Sequence, residues 1–163
     1  MGGHAVALAA VAASAVVASA DVEGATRRGD ERLRCGVIAF ASETLVLRSL
    51  RDPAPADRVI DDLLSLRGHG RTDLATALRA AARMLQDVPP GGRTALLLSD
   101  CLHTRGLDPR AAAGALDCLH VLGTSDADDA RKAGIALARR GRGRYLRATN
   151  VTELTVNLQH ALR

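Results

Sequence analysis

Two oxygen-bearing side chains stand where a hard metal ion could bind. Thr72 follows the glycine-rich loop of residues 67–71, and Asp100 follows the apolar run of residues 95–98. A hydroxyl and a carboxylate are ligands that Mg²⁺ accepts, and this ion keeps several waters and takes only a few protein oxygens. The same residue types also serve as an N-cap, for Thr72, and as a turn former or local cap, for Asp100. The residues alone leave both interpretations open.

A second group of candidate ligands combines nitrogen and sulfur. Cys101 with His103 and Cys118 with His120 form two pairs of a composition that zinc accepts, and a zinc-dependent hydrolase is one alternative function. The spacing within each pair is unusual for a zinc knuckle, and we expect Cys118 and His120 at or inside a buried strand. A core thiol and a hydrogen-bonded histidine are therefore favoured over zinc ligands.

Residues of the same region also have the types that a catalytic site needs. Cys101, His103 and Asp100 supply a nucleophile, a base and a carboxylate, but adjacency in sequence does not align three side chains into a triad. The sequence contains neither a GxxxxGK[ST] phosphate loop nor a GxGxxG fingerprint. We therefore expect a protein that is not an enzyme.

The strand predicted over residues 93–100 positions Asp100. A short apolar run bounded by turn residues is typical of a strand buried on both faces, as in a parallel sheet covered by helices. Helical patterns precede and follow it, which predicts a doubly wound, Rossmann-like α/β fold with helices on both faces. Ligands bind such sheets at the carboxyl ends of the strands. Thr72 and Asp100 are both expected at that rim.

The other elements follow from hydrophobic periodicity. Strands at 33–41 and 44–47 are close enough for a hairpin, which would give the mostly parallel sheet one antiparallel edge. The final helix has Asn150 or Thr149 as its N-cap, with Glu153 completing a capping box. The remaining predictions are helices over 56–66, 74–86, 109–116, 126–140 and 151–162, and strands over 119–122 and 144–148.

The apolar, alanine-rich stretch of residues 4–20 has two interpretations. It resembles a signal peptide, with a small-residue site at Ala18-Ser19-Ala20, and this gives the alternative of an exported small α/β domain. Its first four residues carry no Lys or Arg, and it is short for a membrane span. The favoured interpretation is a buried helix with Val6, Leu8, Val11 and Val17 facing the sheet, followed by a surface loop over 21–32.

Composition limits the remaining classes. At 163 residues the chain is expected to form one domain over 1–163. Aromatic residues make up 1% of it, too few for base-stacking platforms, and the net charge of +4 comes from scattered arginines. We therefore expect no nucleic-acid partner. The three cysteines favour free thiols in a cytoplasmic protein over a disulfide framework.

Five segments together resemble a von Willebrand factor type A (vWA) domain: GVIAF, LRGHGRTDLATALRAAARML, RTALLLSDC, LHVLG and RRGRGRYL. The resemblance is strongest to the bacterial intracellular branch with magnesium-chelatase D-type subunits and partners of MoxR-type AAA+ ATPases. Family members bind Mg²⁺ at a metal-ion-dependent adhesion site (MIDAS), built from Asp-x-Ser-x-Ser after the first strand, a later threonine and a later aspartate. By position, Thr72 matches that threonine and Asp100 that aspartate.

The resemblance implies a non-catalytic module that binds a partner's acidic side chain through the metal, with a AAA+ ATPase as the partner. The family's first strand, normally central in the order 3-2-1-4-5-6, and its Asp-x-Ser-x-Ser have no counterpart here, because the sequence passes from Met1 directly into the first predicted helix. A misassigned start codon is the favoured explanation; a strand supplied by another chain and a decayed domain stay open. Two remaining oxygen ligands imply weak Mg²⁺ binding.

Overall fold

The computed structural model describes residues 3–26, 34–41, 43–66, 72–102 and 106–161. Helices and strands follow one another within these ranges in the order that the sequence predicts. They are α1 (Gly3–Thr26), β1 (Val37–Phe40), β2 (Thr44–Arg48), α2 (Ala56–Ser65), α3 (Leu74–Met84), β3 (Thr94–Ser99), α4 (Pro109–Ala113), β4 (Cys118–Gly123), α5 (Asp128–Arg140), β5 (Arg142–Arg147) and α6 (Val151–Ala161).

The strands form two sheets. β3, β4 and β5 pair in parallel in that order, with Thr94 opposite Cys118 and Ser99 opposite Gly123. β1 and β2 form an antiparallel hairpin, as predicted, with Phe40 opposite Thr44. The hairpin was expected to extend the parallel sheet, but it forms a sheet of its own. The mixed α/β architecture is confirmed, and the junction between its two sheets differs from the prediction.

Helices cover both faces of these strands. Leu74 and Leu78 of α3, with side chains from α4 and α5, pack on Leu97 of β3 and Leu119 of β4. On the other face, Leu154 of α6 joins a second cluster, which also contains residues of α1 and the strands β3, β4 and β5. The third cluster joins α1 and α2 to the hairpin. This double cover explains why the central strand β4 carries almost purely apolar residues at its inner positions.

The first helix is longer than predicted. It continues to Thr26, through residues that the sequence assigned to a surface loop. Val17 is buried, as expected, but Val11 is 44% exposed. Among the α1 side chains that the structure describes, most of the buried ones are small: Ala10, Ala12 and Ala20, together with Val17. The predicted inward positions Val6 and Leu8 lie outside the described side chains. Within the described residues, no helix is long and apolar enough to cross a membrane.

The contacts of Asp73 show which parts of the chain lie beside the start of α3. The amide of Asp73, just before α3, donates to the carbonyl oxygen of Ala41, just after β1, at 3.1 Å. At Gly106, in the segment after β3, a Cβ atom would lie 2.6 Å from Oδ1 of Asp73. The end of β1, Gly106 and the start of α3 therefore lie together, and we call this part of the molecule the carboxyl edge.

Candidate functional site

Thr72 lies at the carboxyl edge, immediately before α3. The N-cap of this helix is Asp73: its Oδ1 accepts from the amide of Thr76 at 2.9 Å, and its Oδ2 accepts from the Thr76 hydroxyl at 2.8 Å. The alternative that assigned the N-cap to Thr72 is therefore wrong by one residue. Thr72 is half-buried beside the cap.

Asp100 follows the last residue of β3. Its Oδ1 accepts a hydrogen bond from the amide of Leu102 at 3.2 Å, which is the local turn that aspartate commonly forms after a strand. The turn passes through Cys101, whose φ of 59° lies in the left-handed region. The turn-forming interpretation of Asp100 is thus confirmed. A carboxylate has further lone pairs, so this one hydrogen bond leaves the metal hypothesis open.

Thr72 adjoins Asp73 at the carboxyl edge, and Asp100 begins the segment that leads to Gly106. Gly106 lies beside the carboxylate of Asp73. Its φ of 93° lies in the region that favours glycine. The meeting of Thr72 and Asp100 at one edge, and their role as ligands, stay predictions.

The residues present fit a hard cation only in part. A hydroxyl and a carboxylate have the right chemistry for Mg²⁺, but they fill two positions of an octahedral shell. No group of three or more His, Cys, Asp or Glu side chains with metal-binding geometry occurs among the described residues. The site therefore needs oxygen ligands beyond Thr72 and Asp100 before it can hold an ion tightly.

Cys101 is unsuited to nucleophilic catalysis. It is 1% exposed, and its Sγ lies 3.7 Å from the carbonyl oxygen of Ser99. Burial, with a smaller contribution from the nearby negative charge of Asp100, raises the pKa of the Cys101 thiol to about 12. A thiol with this pKa is protonated near neutral pH and is a poor nucleophile. His103, its proposed base, lies outside the described residues.

Cys118 and His120 contact one another at the start of β4. Sγ of Cys118 lies 3.2 Å from Nε2 of His120, and Nδ1 of His120 accepts from the amide of Arg144 at 3.3 Å. An accepting Nδ1 places the proton of the neutral ring on Nε2, which then donates to the sulfur. Burial first, and the charge of Arg144 second, lower the pKa of His120, which favours this neutral ring.

The two cysteine pairs are not brought together. Cys118 is opposite Thr94, the first residue of β3, whereas Cys101 lies two residues beyond Ser99, the last residue of that strand. The five residue steps from Thr94 to Ser99 alone span about 17 Å at the usual rise per residue. A single zinc ion cannot reach both thiols. Residues two apart in a strand lie on the same face, which agrees with the contact between Cys118 and His120. The distance between the two cysteine pairs depends instead on the direction of β3 and β4, which the spacing within each pair does not reveal.

Sequence reasoning missed three features of the carboxyl edge. Asp73 was passed over, although an aspartate three residues before Thr76 at a helix start is a recognisable capping signal. Leu102 and Leu107 are 41% and 70% exposed near Asp100, and such apolar side chains next to a polar group are common where proteins bind one another. No periodic pattern identifies them, because they lie in irregular loops.

Comparison of sequences gives no relative: no family model matches this chain, and no curated protein matches it. Comparison of structures does. A structure of an aerotolerance-related membrane protein from Bacteroides fragilis, carrying multiple mutations to serines, superposes with a TM-score of 0.68 at 18% identity over 96% of this chain and 87% of that one.

Proximal thread matrix protein 1 from the mussel byssus, in a structure with a zinc-occupied MIDAS motif, superposes with a TM-score of 0.70 at 14% identity. The match covers 99% of this chain and 43% of the mussel protein, so this chain spans less than half of that relative's length. A second crystal form of the mussel protein gives a TM-score of 0.67. Similarity at these identities concerns the fold, and on this basis the chain has a von Willebrand factor type A-like fold.

Proposed function

We propose that this chain is a non-catalytic protein-binding module that holds a divalent cation, with Mg²⁺ as the expected ion, at its carboxyl edge. Thr72 and Asp100 contribute two oxygen ligands, and a carboxylate of the bound partner contributes another. The observation that supports the proposal is that Thr72 adjoins Asp73, which contacts Ala41 after β1 and lies beside Gly106 in the segment that follows Asp100. The MIDAS motif of the mussel protein supports the choice of a metal.

The surroundings of the proposed site suit a protein partner. Leu102 and Leu107 expose apolar surface in the loop beyond Asp100, and such groups strengthen binding when a partner removes them from water. The metal would then supply specificity for an acidic side chain, and the leucines would supply contact area. Asp100, as a charged ligand, contributes more to cation binding than the neutral hydroxyl of Thr72.

The partner proposed is a MoxR-type AAA+ ATPase, with nucleotide hydrolysis performed by that ATPase. The support is the resemblance of LRGHGRTDLATALRAAARML and RTALLLSDC to the vWA branch that works with such enzymes. A gene for a MoxR-type ATPase beside the gene for this chain is the expected genomic context. A cytoplasmic location is part of the same proposal.

Two titrations test the metal-dependent function. Isothermal titration of this chain with MgCl₂ alone is expected to show no tight site, because two ligands compete poorly with water. Titration with a purified MoxR-type ATPase is expected to show binding that EDTA abolishes and MgCl₂ restores. A micromolar affinity for Mg²⁺ alone would contradict the incomplete site, and binding indifferent to EDTA would refute the metal bridge.

Matched variants locate the effect. Asp100→Asn removes the charged ligand and is expected to weaken metal-dependent binding at least about tenfold, since a charge-assisted contact contributes roughly 1.5–3 kcal/mol. Thr72→Ala should weaken it less. Asp61→Asn, at an exposed position of α2, is the control and should leave affinity unchanged. Equal affinities for all three variants would exclude the carboxyl edge as the binding site.

A further inference from the structure

Four exposed arginines lie where helix α5 passes into strand β5. Arg139 and Arg140 are the last two residues of α5, and Arg142 and Arg144 are the first and third residues of β5. Cations are favourable at the carboxyl end of a helix, but this effect is confined to the last turn and does not account for Arg142 and Arg144. We call the surface formed by these four side chains the basic surface.

Two contacts hold part of the basic surface against the segment that joins α4 to β4. The guanidinium of Arg142 donates from Nε to the carbonyl oxygen of Asp117 at 3.1 Å, and from Nη2 to the carbonyl oxygen of Leu116. A Cβ atom at Gly114, the C-cap of α4, would lie 3.1 Å from Nε of Arg140. Because the carbonyl oxygens carry no net charge, they fix the position of Arg142 and leave its positive charge in place.

The thiol of Cys118 lies next to the basic surface. The amide of Arg144 donates to Nδ1 of His120 at 3.3 Å, and Sγ of Cys118 lies 3.2 Å from the other ring nitrogen. Burial raises the pKa of the Cys118 thiol, and the charges of Arg142 and Arg144 oppose this effect. Both guanidinium groups therefore lie near enough to act on a charge at Sγ. Cys118 is only half-buried, so its reactivity can report what covers it.

The nearest acid of this region is already balanced. Oδ2 of Asp117 accepts from the amides of Gly91 and Arg93, at 2.6 Å and 3.2 Å. The hydrogen bond from Gly91 is the largest cause of the lowered pKa of Asp117, so its carboxylate stays ionised near neutral pH. The charge of Arg93 acts on the same carboxylate and offsets it. Neither Asp117 nor Arg93 is therefore counted in the basic surface.

The charges of the basic surface are otherwise uncompensated. Among the residues that the structure describes, no ion pair includes any of its four arginines. The acids of α5, Asp128 and Asp129, lie in its first turn, about 16 Å from its last residues at the usual helical rise. An excess of positive charge therefore remains where α5 ends.

The chemistry of this surface favours an acidic polypeptide. The chain has two aromatic residues, Phe40 and Tyr145, and both pack at the margin of the core, so neither ring is presented for stacking with bases. Arg142 and Arg144 are two residues apart in a strand, or about 7 Å, which is also the spacing of alternate side chains in an extended peptide. We propose that the basic surface binds an extended acidic segment of a partner protein, with carboxylates at alternate positions.

The first experiment measures the charge around Cys118 in the full chain, with EDTA present. Iodoacetate is an anion and iodoacetamide is neutral, but both alkylate the same thiolate, so the ratio of their rates reports the local potential. At an ionic strength of about 0.01 M we expect this ratio to be at least about threefold higher than for Cys118 of the chain unfolded in urea. The excess should disappear near about 1 M salt. Mass spectrometry of the peptide that contains Cys118 gives both rates.

The second experiment adds a partner mimic. The probe is a synthetic peptide of alternating glutamate and serine, and the control peptide has glutamine in place of glutamate. At about ten times its Kd, the probe should slow the reaction of Cys118 with iodoacetamide about tenfold, since only the unoccupied chain reacts. The control peptide should give no protection. Because EDTA is present, protection does not depend on the proposed metal site.

Matched variants locate the binding. The side chain of Arg144 is exposed and makes no ion pair among the described residues, so Arg144→Gln should leave the fold unchanged, as circular dichroism can verify. We expect it to lower the alkylation ratio and to weaken binding of the probe about two- to fivefold, as for one exposed ion pair. Arg131→Gln, near the start of α5 where Arg131 pairs with Asp128, changes the net charge equally and should leave both values unchanged.

Three results would overturn the inference. The first is an alkylation ratio equal to that of the unfolded chain, or a Cys118 that resists both reagents, since other parts of the chain would then neutralise or cover the basic surface. The second is equal affinity of the Arg144→Gln and Arg131→Gln variants for the probe, which would reduce the effect to net charge. The third is protection by a DNA duplex or by vesicles of anionic phospholipid but not by the probe, which would identify another class of partner. None of these results bears on the proposed metal site.

Discussion

Replacement of Asp21 tests how α1 is held to the hairpin. Arg48 of β2 has a side chain only 7% exposed, and its guanidinium makes two hydrogen bonds to Asp21 of α1, at 2.5 Å and 3.3 Å. Within the part of the chain that the structure describes, Nε of Arg48 has no hydrogen-bond partner. Asp21→Asn would leave this buried cation without its counter-charge.

The expected cost follows from the difference in burial between the partners. Removing one partner of a fully buried pair costs about 3–5 kcal/mol. Asp21 is 47% exposed, so water can partly replace its carboxylate, and we expect Asp21→Asn to lower the free energy of unfolding by about 2–3 kcal/mol. Arg48→Met removes the buried charge and leaves an aspartate that water solvates, so its cost should stay below about 1 kcal/mol.

Urea unfolding followed by far-UV circular dichroism measures both values, since the chain has no tryptophan. The double variant should match Arg48→Met alone. Asp87→Asn is the control, because its partner Arg51 is 77% exposed and an exposed ion pair contributes little to stability. A larger cost for Arg48→Met than for Asp21→Asn would refute the reasoning, as would a cost for Asp21→Asn no greater than that of the control.

Four further predictions concern other parts of the fold. Deleting residues 1–20 should unfold the chain, because buried Ala10, Ala12 and Val17 belong to α1; mass spectrometry of the native amino terminus should accordingly find these residues retained. Gly106→Ala should lower the free energy of unfolding in urea by at least about 1 kcal/mol, because the turn has a positive φ and the new Cβ would meet Asp73. An unchanged free energy of unfolding would contradict the position of this loop. Iodoacetamide at pH 8 should label Cys118 well before Cys101, which is buried. From pH 9 to 12 the free energy of unfolding should fall by up to about 1.4 kcal/mol per pH unit, because Cys101 ionises in this range only in the unfolded chain. Hydrogen bonds from Thr149 lower the pKa of Glu153, so its contribution to stability should be lost as pH falls below about 4, and Glu153→Gln should reduce this acid dependence.

The order of helices and strands was predictable because most segments have one clear period. In α2, Val59 and Leu63 are buried as their four-residue spacing requires, but neighbouring Leu64 is 62% exposed. The capping signal at Asn150 was also legible: its Oδ1 accepts from the amide of Glu153 at 2.9 Å. The end of α1 could not be predicted from the sequence, because alanine, valine, aspartate and glutamate continue a helix and also occur in the loops that follow one.

The candidate site was only partly predictable, for a related reason. Strand ends are visible in a sequence, so Asp100 could be predicted to lie at the carboxyl end of a strand. The distance between Cys101 and Cys118 depends on which strands are parallel neighbours, and local patterns do not record pairing between distant segments. The same limit concealed the exposed positions of Leu102 and Leu107, which lie outside the helices and strands.

The division into two sheets has a physical consequence for stability. An apolar strand such as β3, with Leu96, Leu97 and Leu98 in succession, has the composition of a strand paired on both sides, yet one of its edges is unpaired among the described residues. Backbone groups at that edge must be satisfied by water or by another chain, and an apolar edge of this kind promotes association.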